Sequence, residues 1–262
     1  MKRIKRTKDL EIILEIKNAD FIQPPKESQR NSMVNTALKE FTNNLYALNG
    51  IAIDFVQGDT QTDLLDRTQK ILSDEDIMED WQIPIMQKMA DVVTETHGDV
   101  LEIGFGRGIA SDMIQHNNVS SHTIIECNDA IIKDKYYTWK NKYKNQNIKI
   151  VHGLWQDTIE ALGLFDGIFF HTYPLNEDEY MNYVHASTTF AEHFFPTAAA
   201  HLKPGGVFTY FSNEIDSLSR SHQRSLFRHF SSFSLEKIDL GIPEDIKDTW
   251  WANTIVIVKA IK

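Results

Sequence analysis

Short apolar runs alternate with longer mixed segments from about residue 99 to the end of the chain. Runs of this kind, bounded by turn residues, predict strands, and the mixed segments between them predict helices, for example Asp129–Tyr143 and Glu177–His201. The seven predicted strands are DVLEIG (99–104), HTIIEC (122–127), IKIVHG (148–153), FDGIFFH (165–171), GVFTYF (206–211), FSLEKIDL (233–240) and NTIVIVKA (253–260). The alternation predicts βαβ units and a mostly parallel sheet covered on both faces. Only a loop separates the last two strands, which are expected to pair antiparallel at one edge.

The N-terminal part of the chain follows a different pattern. It predicts a helix at 31–48 and a short strand or turn at IAIDF (51–55). The whole sequence contains no internal repeat. With its polar content this part cannot bury a large core alone. We therefore interpret residues 1–75 as an N-terminal extension that covers an α/β domain spanning residues 76–262.

A longer helix is predicted at Ser73–Thr96, at the junction of these two parts. Ser73 with Asp76 three residues later is a helix-start signature, and Gly98 is a plausible stop. Pro84 lies inside the stretch, so the pattern favours either a kink there or a helix that begins near Pro84.

Composition places the chain among soluble intracellular proteins. Of 262 residues, 42 % are hydrophobic, and the net charge of −10 is expected to repel nucleic acid and anionic membranes. The basic start, MKRIKRTK, is either an arm for a polyanion or a solvated terminus, and we favour the latter. No apolar run approaches the roughly 20 residues of a membrane helix. The single cysteine, Cys127, excludes an internal disulfide and fits the cytoplasm.

A glycine-rich turn follows the first predicted strand, where VLEIG leads into FGRGIA and then a helix. Gly104, Gly106 and Gly108 allow the backbone to turn tightly and approach a ligand. The dinucleotide fingerprint would need a small residue at Ile109, so the pattern disfavours NAD. Glu126 ends the next strand, where a carboxylate suits ribose hydroxyls. Together these features predict a nucleoside ligand such as S-adenosylmethionine, although a turn without a ligand and a solvated Glu126 stay open.

Six stretches resemble guanidinoacetate N-methyltransferase and its relatives, which include arginine δ-N-methyltransferases. They are MEDWQIPIM (78–86), VLEIGFGRGIA (100–110), IIECND (124–129), GLWQD (153–157), FDGIFFHTYPL (165–175) and LKPGGVFTYF (202–211). The resemblance covers roughly Asp76 to Lys262. It implies a Rossmann-like class I methyltransferase of the α/β class, with a seven-stranded, mostly parallel sheet and an antiparallel last strand. An N-terminal helical lid would cover it.

The same resemblance implies S-adenosyl-L-methionine as the cofactor and assigns residues to each part of the site. Cofactor-binding residues would be Met86, Gly104, Phe105, Gly106, Glu126, Cys127, Asn128, Leu154 and Trp155. Acceptor-binding residues would be Glu79, Trp81, Gln82, His171, Thr172 and Tyr173. For Trp155 and Glu79 the alternatives are a core tryptophan and a solvated helix residue.

Two positions depart from the family pattern. Where the family has carboxylates that grip a guanidinium, this chain has Gln82 and His171, so we expect guanidino compounds to bind poorly. Glu79 could supply one negative charge. His171 stands at the carboxyl end of a predicted parallel strand, where ligands bind, and is our candidate catalytic residue as a general base or hydrogen-bond acceptor. The alternative is a histidine that caps the strand by bonding to a neighbouring backbone group.

These features together predict S-adenosylmethionine-dependent methylation of a small molecule, most simply at the nitrogen of an acceptor without a guanidino group. Two alternatives stay open: an O-methyltransferase of a biosynthetic pathway, and an inactive cofactor-binding partner subunit. The chain has no H-E-x-x-H motif and no cysteine cluster, so we expect no metal. No nucleic-acid or membrane partner is expected, and homo-oligomer formation is left open.

Overall fold

The computed structural model describes residues 71–212, 214–242 and 252–262. The helix predicted at 31–48 and the strand or turn at 51–55 lie outside this range. So does the predicted lid, except for its last five residues. The boundary at 75/76 therefore stays a prediction.

A single sheet of seven strands organises the described residues. Its strands are β1 Asp99–Ile103, β2 Ser121–Glu126, β3 Ile148–His152, β4 Phe165–Phe170, β5 Leu202–Ser212, β6 Ser232–Asp239 and β7 Thr254–Ile261. They lie in the order β3-β2-β1-β4-β5-β7-β6. The first five pair in parallel, whereas β7 runs antiparallel to both β5 and β6. The predicted fold class is confirmed, including the antiparallel last strand and the β6–β7 pair at one edge.

Helices and helical turns connect these strands. The described α-helices are α1 Asp74–Ile77, α2 Ile83–Val93, α3 Ile109–His116, α4 Asp129–Ile131, α5 Tyr137–Lys140, α6 Trp155–Thr158, α7 Glu177–Glu179, α8 Phe195–His201 and α9 Arg220–Leu226. Four 3₁₀ turns cover Asp80–Gln82, Asn141–Tyr143, Ile159–Ala161 and Phe190–Phe194, and two π-helical turns cover Ile132–Tyr136 and Tyr180–His185. No described helix is long and apolar enough to cross a bilayer.

The helix predicted at 73–96 is divided in two. Ser73 and Asp76 form a reciprocal capping box on α1, as their spacing predicts. Pro84 occupies the first turn of α2, so the second of the two predicted alternatives is confirmed. The predicted stop at Gly98 is wrong, because α2 ends at Val93. Gly98 instead permits close packing, since a Cβ there would lie 2.2 Å from an Asp166 carboxylate oxygen.

The helix predicted at 177–201 is wrong as a single element. The chain leaves the helical conformation near Thr189, whose φ of −150° is extended, and a new helix α8 begins with Pro196 in its first turn. Ser187 donates hydrogen bonds to the Thr189 carbonyl and the Glu192 carboxylate, and such local side-chain bonds compete with a helix. By contrast, the pattern at 129–143 does form consecutive helical turns, with a π-helical turn in their middle.

An apolar core lies on each face of the sheet. Strand β4 contributes to both, because alternate side chains of a strand point to opposite faces: Phe170 belongs to one core and Phe169 to the other. The first core includes Phe195 of α8, and the second includes Met89 of α2. The parallel strands β1, β2 and β4 present their carboxyl ends at one rim of the sheet, where the candidate site lies.

Candidate functional site

The glycine loop after β1 adopts the backbone conformations that its sequence predicts. Gly104, Gly106 and Gly108 have φ angles of 91°, 54° and 77°, in the left-handed region that glycine tolerates best. A Cβ at Gly104 would lie 2.4 Å from the backbone oxygen of His171. The missing side chain therefore allows the chain leaving β4 to cross directly over the loop, which brings His171 to the rim.

Glu126, the last residue of β2, holds this loop in place. Its Oε2 accepts hydrogen bonds from the backbone N–H groups of Phe105 at 2.9 Å and Gly106 at 3.2 Å. Its Oε1 accepts a bond from the backbone N–H of Asn128 at 2.8 Å. The Cys127 side chain also hydrogen-bonds to this carboxylate, which offers about four lone-pair sites in all. Glu126 therefore orders the loop, and its contact with ribose hydroxyls stays a prediction.

Two adjoining clefts open at the rim. The first encloses about 700 Å³ between atoms, part of it open to solvent. It is lined by Leu72, Ile77, Met78, Met86, Gly104, Phe105, Gly106, Arg107, Ile109, Ala110, Glu126, Cys127, Asn128, Ile131, His171, Thr172, Tyr173 and Leu175. The second encloses about 430 Å³ and is lined by Ile103, Gly104, Ile125, Glu126, Cys127, Gly153, Leu154, Trp155, Gln156, Thr172, Tyr173, Leu175, Glu179 and Phe190.

The two clefts divide the predicted cofactor residues between them. Seven of the nine line the first cleft, whereas Leu154 and Trp155 line the second. Gly104, Glu126 and Cys127 line both. The donors and walls fit an elongated nucleoside ligand such as S-adenosylmethionine: a loop that approaches closely without side chains, a carboxylate for the ribose, and apolar surface on either side.

Two cofactor candidates also have structural roles. Trp155 packs edge-on against Phe194, with ring centroids 4.9 Å apart, and so belongs partly to the core while lining the second cleft. Both interpretations of Trp155 are therefore compatible with its position. Burial raises the pKa of the Cys127 thiol to about 12, and Glu126 adds to the shift. Cys127 is thus a neutral group beside the ligand space rather than a nucleophile.

The predicted acceptor residues are only partly brought together. His171, Thr172 and Tyr173 line the first cleft, and the last two also line the second. Glu79, Trp81 and Gln82 lie at or within the 3₁₀ turn before α2 and are not among the described lining residues. Trp81 and Gln82 are buried there, whereas Glu79 is half-buried. Their contact with an acceptor stays a prediction.

His171 has an unusual environment. Its Nε2 is buried and has no hydrogen-bond partner among the residues that the structure describes. Burial lowers the pKa of the imidazole to about 4, so the ring is neutral at neutral pH. The ring packs 5.5 Å from that of Phe211. Its backbone N–H donates to the Ile103 carbonyl at 3.2 Å, and this main-chain bond, not one from Nε2, ties the strand end.

Arg107 lies within the glycine loop, and the sequence pattern assigns it no role. Its Nη1 donates hydrogen bonds to the carbonyl of Met78 at 2.8 Å and to Asp80 Oδ1 at 2.7 Å. Ile77 and Met78 likewise line the first cleft without having been predicted. The sequence feature that could have identified them is the capping box of Ser73, because both residues follow it directly at the end of the short helix α1.

Comparison with known proteins identifies sequence relatives. The sequence profile of the family described as guanidinoacetate N-methyltransferase matches residues 51–236. Protein arginine N-methyltransferase 2 of Candida glabrata is 30 % identical over 146 residues, covering 52 % of this chain and 32 % of the relative. That of Yarrowia lipolytica is 32 % identical over 147 residues, covering 52 % and 28 %. The matched part of this chain therefore spans about a third of these relatives' length.

Among solved structures, an O-methyltransferase from Bacillus cereus in complex with SAH is similar at a TM-score of 0.47 and 16 % identity. The match covers 68 % of this chain and 80 % of that one.

Proposed function

We propose that this chain, which belongs to the guanidinoacetate N-methyltransferase family, transfers a methyl group from S-adenosylmethionine to a nitrogen of a small acceptor. Unlike guanidinoacetate, this acceptor carries no guanidino group. The cofactor supplies a methyl group activated by a positively charged sulfur. The chain's own residues then have to bind, orient and shield the reactants. The observation that carries the proposal is the neutral imidazole of His171, whose buried Nε2 has no partner among the described residues.

Charge argues against a guanidinium acceptor. A buried guanidinium is stabilised by ionised carboxylates that accept paired hydrogen bonds, and it is costly to bury without them. The low pKa of His171 keeps the imidazole at this cleft neutral. Gln82 is neutral as well, but it is buried in the turn before α2 and is not among the described lining residues. Glu126 is the carboxylate among the described residues of the first cleft, and three backbone N–H groups already donate to it. An acceptor that arrives uncharged suits this cleft better.

A neutral imidazole can orient such an acceptor. In the tautomer that carries its proton on Nδ1, the Nε2 of His171 accepts a hydrogen bond from the N–H of an amine or heteroaromatic ring. Fixing that bond directs the lone pair of the acceptor nitrogen. With a pKa near 4, His171 is a weak base, so hydrogen-bond acceptance explains its role better than strong proton abstraction does.

The names of the curated relatives point to a different acceptor, since they are protein arginine N-methyltransferases. An arginine side chain presents the same guanidinium to the site. The argument from Gln82 and His171 therefore applies to it as well, and guanidino compounds of both kinds serve as the comparison in the test.

Titration calorimetry tests the proposal. We expect S-adenosylmethionine and S-adenosylhomocysteine to bind, and guanidinoacetate and an arginine peptide to give no heat with the product complex. Replacing Gln82→Glu together with His171→Asp restores two carboxylates and is expected to strengthen guanidinoacetate binding by about tenfold or more. The same two kinds of change at exposed positions, Gln146→Glu with His116→Asp, serve as the control for added negative charge.

The outcomes separate the parts of the proposal. Guanidinoacetate binding to the wild-type product complex would overturn the argument from the missing carboxylates. Failure of both cofactor forms to bind would overturn the enzyme assignment itself. With cofactor binding established, transfer of a labelled methyl group to a panel of amines, heteroaromatic nitrogens and hydroxyls identifies the acceptor. Transfer to hydroxyls alone would favour O-methylation.

A further inference from the structure

The segment from Leu72 to Asp80, here called the cover segment, lies against the glycine loop. Leu72, Ile77 and Met78 line the first cleft. Ile77 approaches so closely that a Cβ added to Gly106 would lie 2.9 Å from its Cγ2. The cover segment therefore forms one wall of the space that we assign to the cofactor.

Apolar packing alone holds this segment weakly. Helix α1 has four residues, none of them buried, and its capping box between Ser73 and Asp76 is exposed. Met78 is the buried hydrophobic residue of the segment, and Ile77 is half-buried. So short a helix is not stable by itself, and it needs tertiary contacts to stay in place.

Charged side chains supply the remaining contacts. Arg107 Nη1 donates to Asp80 Oδ1 at 2.7 Å and to the Met78 carbonyl at 2.8 Å, while its Nε lies 3.9 Å from Asp74 Oδ2. Lys135, from the π-helical turn after α4, donates to Asp74. The hydrogen bond from Lys135 holds the pKa of Asp74 below its usual value. Arg107 and Lys135, which lie outside the cover segment, thus bind the carboxylates of Asp74 and Asp80 within it.

We propose that Arg107 is a positioning residue for cofactor binding, which latches the cover segment over the glycine loop through Asp80 and the Met78 carbonyl. This inference rests on the cofactor site of the proposed function. The Arg107 side chain is 20 % exposed and that of Asp80 is 77 % exposed, so water and salt reach the pair. Ion pairs of this kind are weak and screened by salt, which allows the latch to open for ligand exchange.

The test is calorimetric titration of the purified full chain with S-adenosylhomocysteine. Arg107→Met removes the cation and Asp80→Asn removes its partner at an exposed position. We expect Asp80→Asn to raise the Kd by roughly two- to fivefold, Arg107→Met by somewhat more because it also loses the Met78 carbonyl, and the double variant to be little worse than Arg107→Met. Non-additivity of this kind is expected only if the two residues act through one contact. Lys142→Met is the matched control, because it removes a lysine that pairs with Asp112 at 3.3 Å and does not line either cleft.

Ionic strength gives a second measurement. S-adenosylhomocysteine carries no net charge at neutral pH, so salt should weaken its binding mainly by screening the latch. Between 50 mM and 500 mM NaCl we expect the wild-type Kd to rise about threefold and that of Arg107→Met to stay nearly constant. Melting temperatures of all variants, measured at both salt concentrations, show whether the fold has changed instead.

Each possible result of these titrations supports or overturns the latch. A large loss in Arg107→Met with none in Asp80→Asn would overturn the latch through Asp80, because Arg107 would then act only through the Met78 carbonyl or on the ligand itself. Unchanged affinity in both variants would overturn it as well. If the wild-type chain does not bind S-adenosylhomocysteine at all, the cofactor assignment fails. Binding by the wild type and the control with no effect of the latch variants rejects only the present inference.

Discussion

Two histidines lie near the carboxyl ends of neighbouring strands and differ in how their ring nitrogens are satisfied. His222 of α9 is fully buried, with Nδ1 2.6 Å from Glu214 Oε2 and Nε2 2.6 Å from the hydroxyl of Tyr210 on β5. His171, directly after β4, has a buried Nε2 without a partner among the described residues. Buried polar atoms are nearly always hydrogen-bonded, and an exception calls for an explanation.

The difference separates a structural histidine from a functional candidate. The Nδ1 of His222 pairs with the carboxylate of Glu214 and its Nε2 pairs with the hydroxyl of Tyr210, so both ring nitrogens have partners within the fold. The ring of His222 also stacks on that of Phe195, with centroids 6.1 Å apart. All of its capacity is used within the fold. An unsatisfied nitrogen costs about 1–3 kcal/mol, so at His171 we expect a ligand to provide the missing partner.

The largest expected effect is on catalysis. His171→Ala should lower turnover by about 10²- to 10³-fold, the scale of a positioned acid–base or hydrogen-bonding side chain. The Kd of the cofactor should stay nearly unchanged, because Glu126 and the glycine loop remain. Steady-state kinetics with an acceptor from the panel would measure the first, and calorimetry the second. His152→Ala, at an exposed side chain, is the control.

An unchanged turnover in His171→Ala would contradict this role and return His171 to the strand-cap interpretation. A large loss of cofactor affinity would instead show that the variant has disturbed the glycine loop, since Gly104 packs against the His171 backbone.

The next effect is on stability. Here we expect His222→Ala to have the larger effect and His171→Ala the smaller one. His222→Ala removes the partner of both Glu214 and the buried Tyr210 hydroxyl, so we expect the free energy of unfolding to fall by about 3 kcal/mol. His171→Ala removes no described side-chain hydrogen bond and should cost clearly less. Urea unfolding followed by circular dichroism measures both. Equal losses would mean that His171 has a structural partner after all.

The sequence predicted the fold well because the fold follows from local patterns. Buried parallel strands are short apolar runs, and the glycine loop is one contiguous motif that required positive φ angles at Gly104 and Gly106. The carboxylate of Glu126 could be placed because it ends the next strand. The break near Thr189 was missed, because competing bonds from side chains such as Ser187 are not visible in hydrophobic periodicity.

The finer features of the site depend on contacts between distant parts of the chain. Arg107 and Asp80 are 27 residues apart, and no local pattern links them. The low pKa of His171 was also unpredictable, because it follows from burial in three dimensions, whereas an ordinary histidine has a pKa near 6.5. Position along a strand identified His171, but only its surroundings show that it stays neutral.

The last expected effect, a pH dependence of the free energy of unfolding, tests the environment of His171 directly. Its pKa is about 4 in the folded protein and about 6.5 in an unfolded chain. Between these values the unfolded state binds more protons, so the stability that the neutral ring preserves is fully present above pH 6.5 and is lost as the pH falls towards 4. This group alone should lower the free energy of unfolding by up to about 1.4 kcal/mol per pH unit in that window.

His171→Asn cannot take up this proton. The difference in free energy of unfolding between wild type and His171→Asn should therefore depend on pH below 6.5 and be constant above it. A difference independent of pH from 4 to 8 would mean that the imidazole is solvated, and the argument from its neutrality would fail.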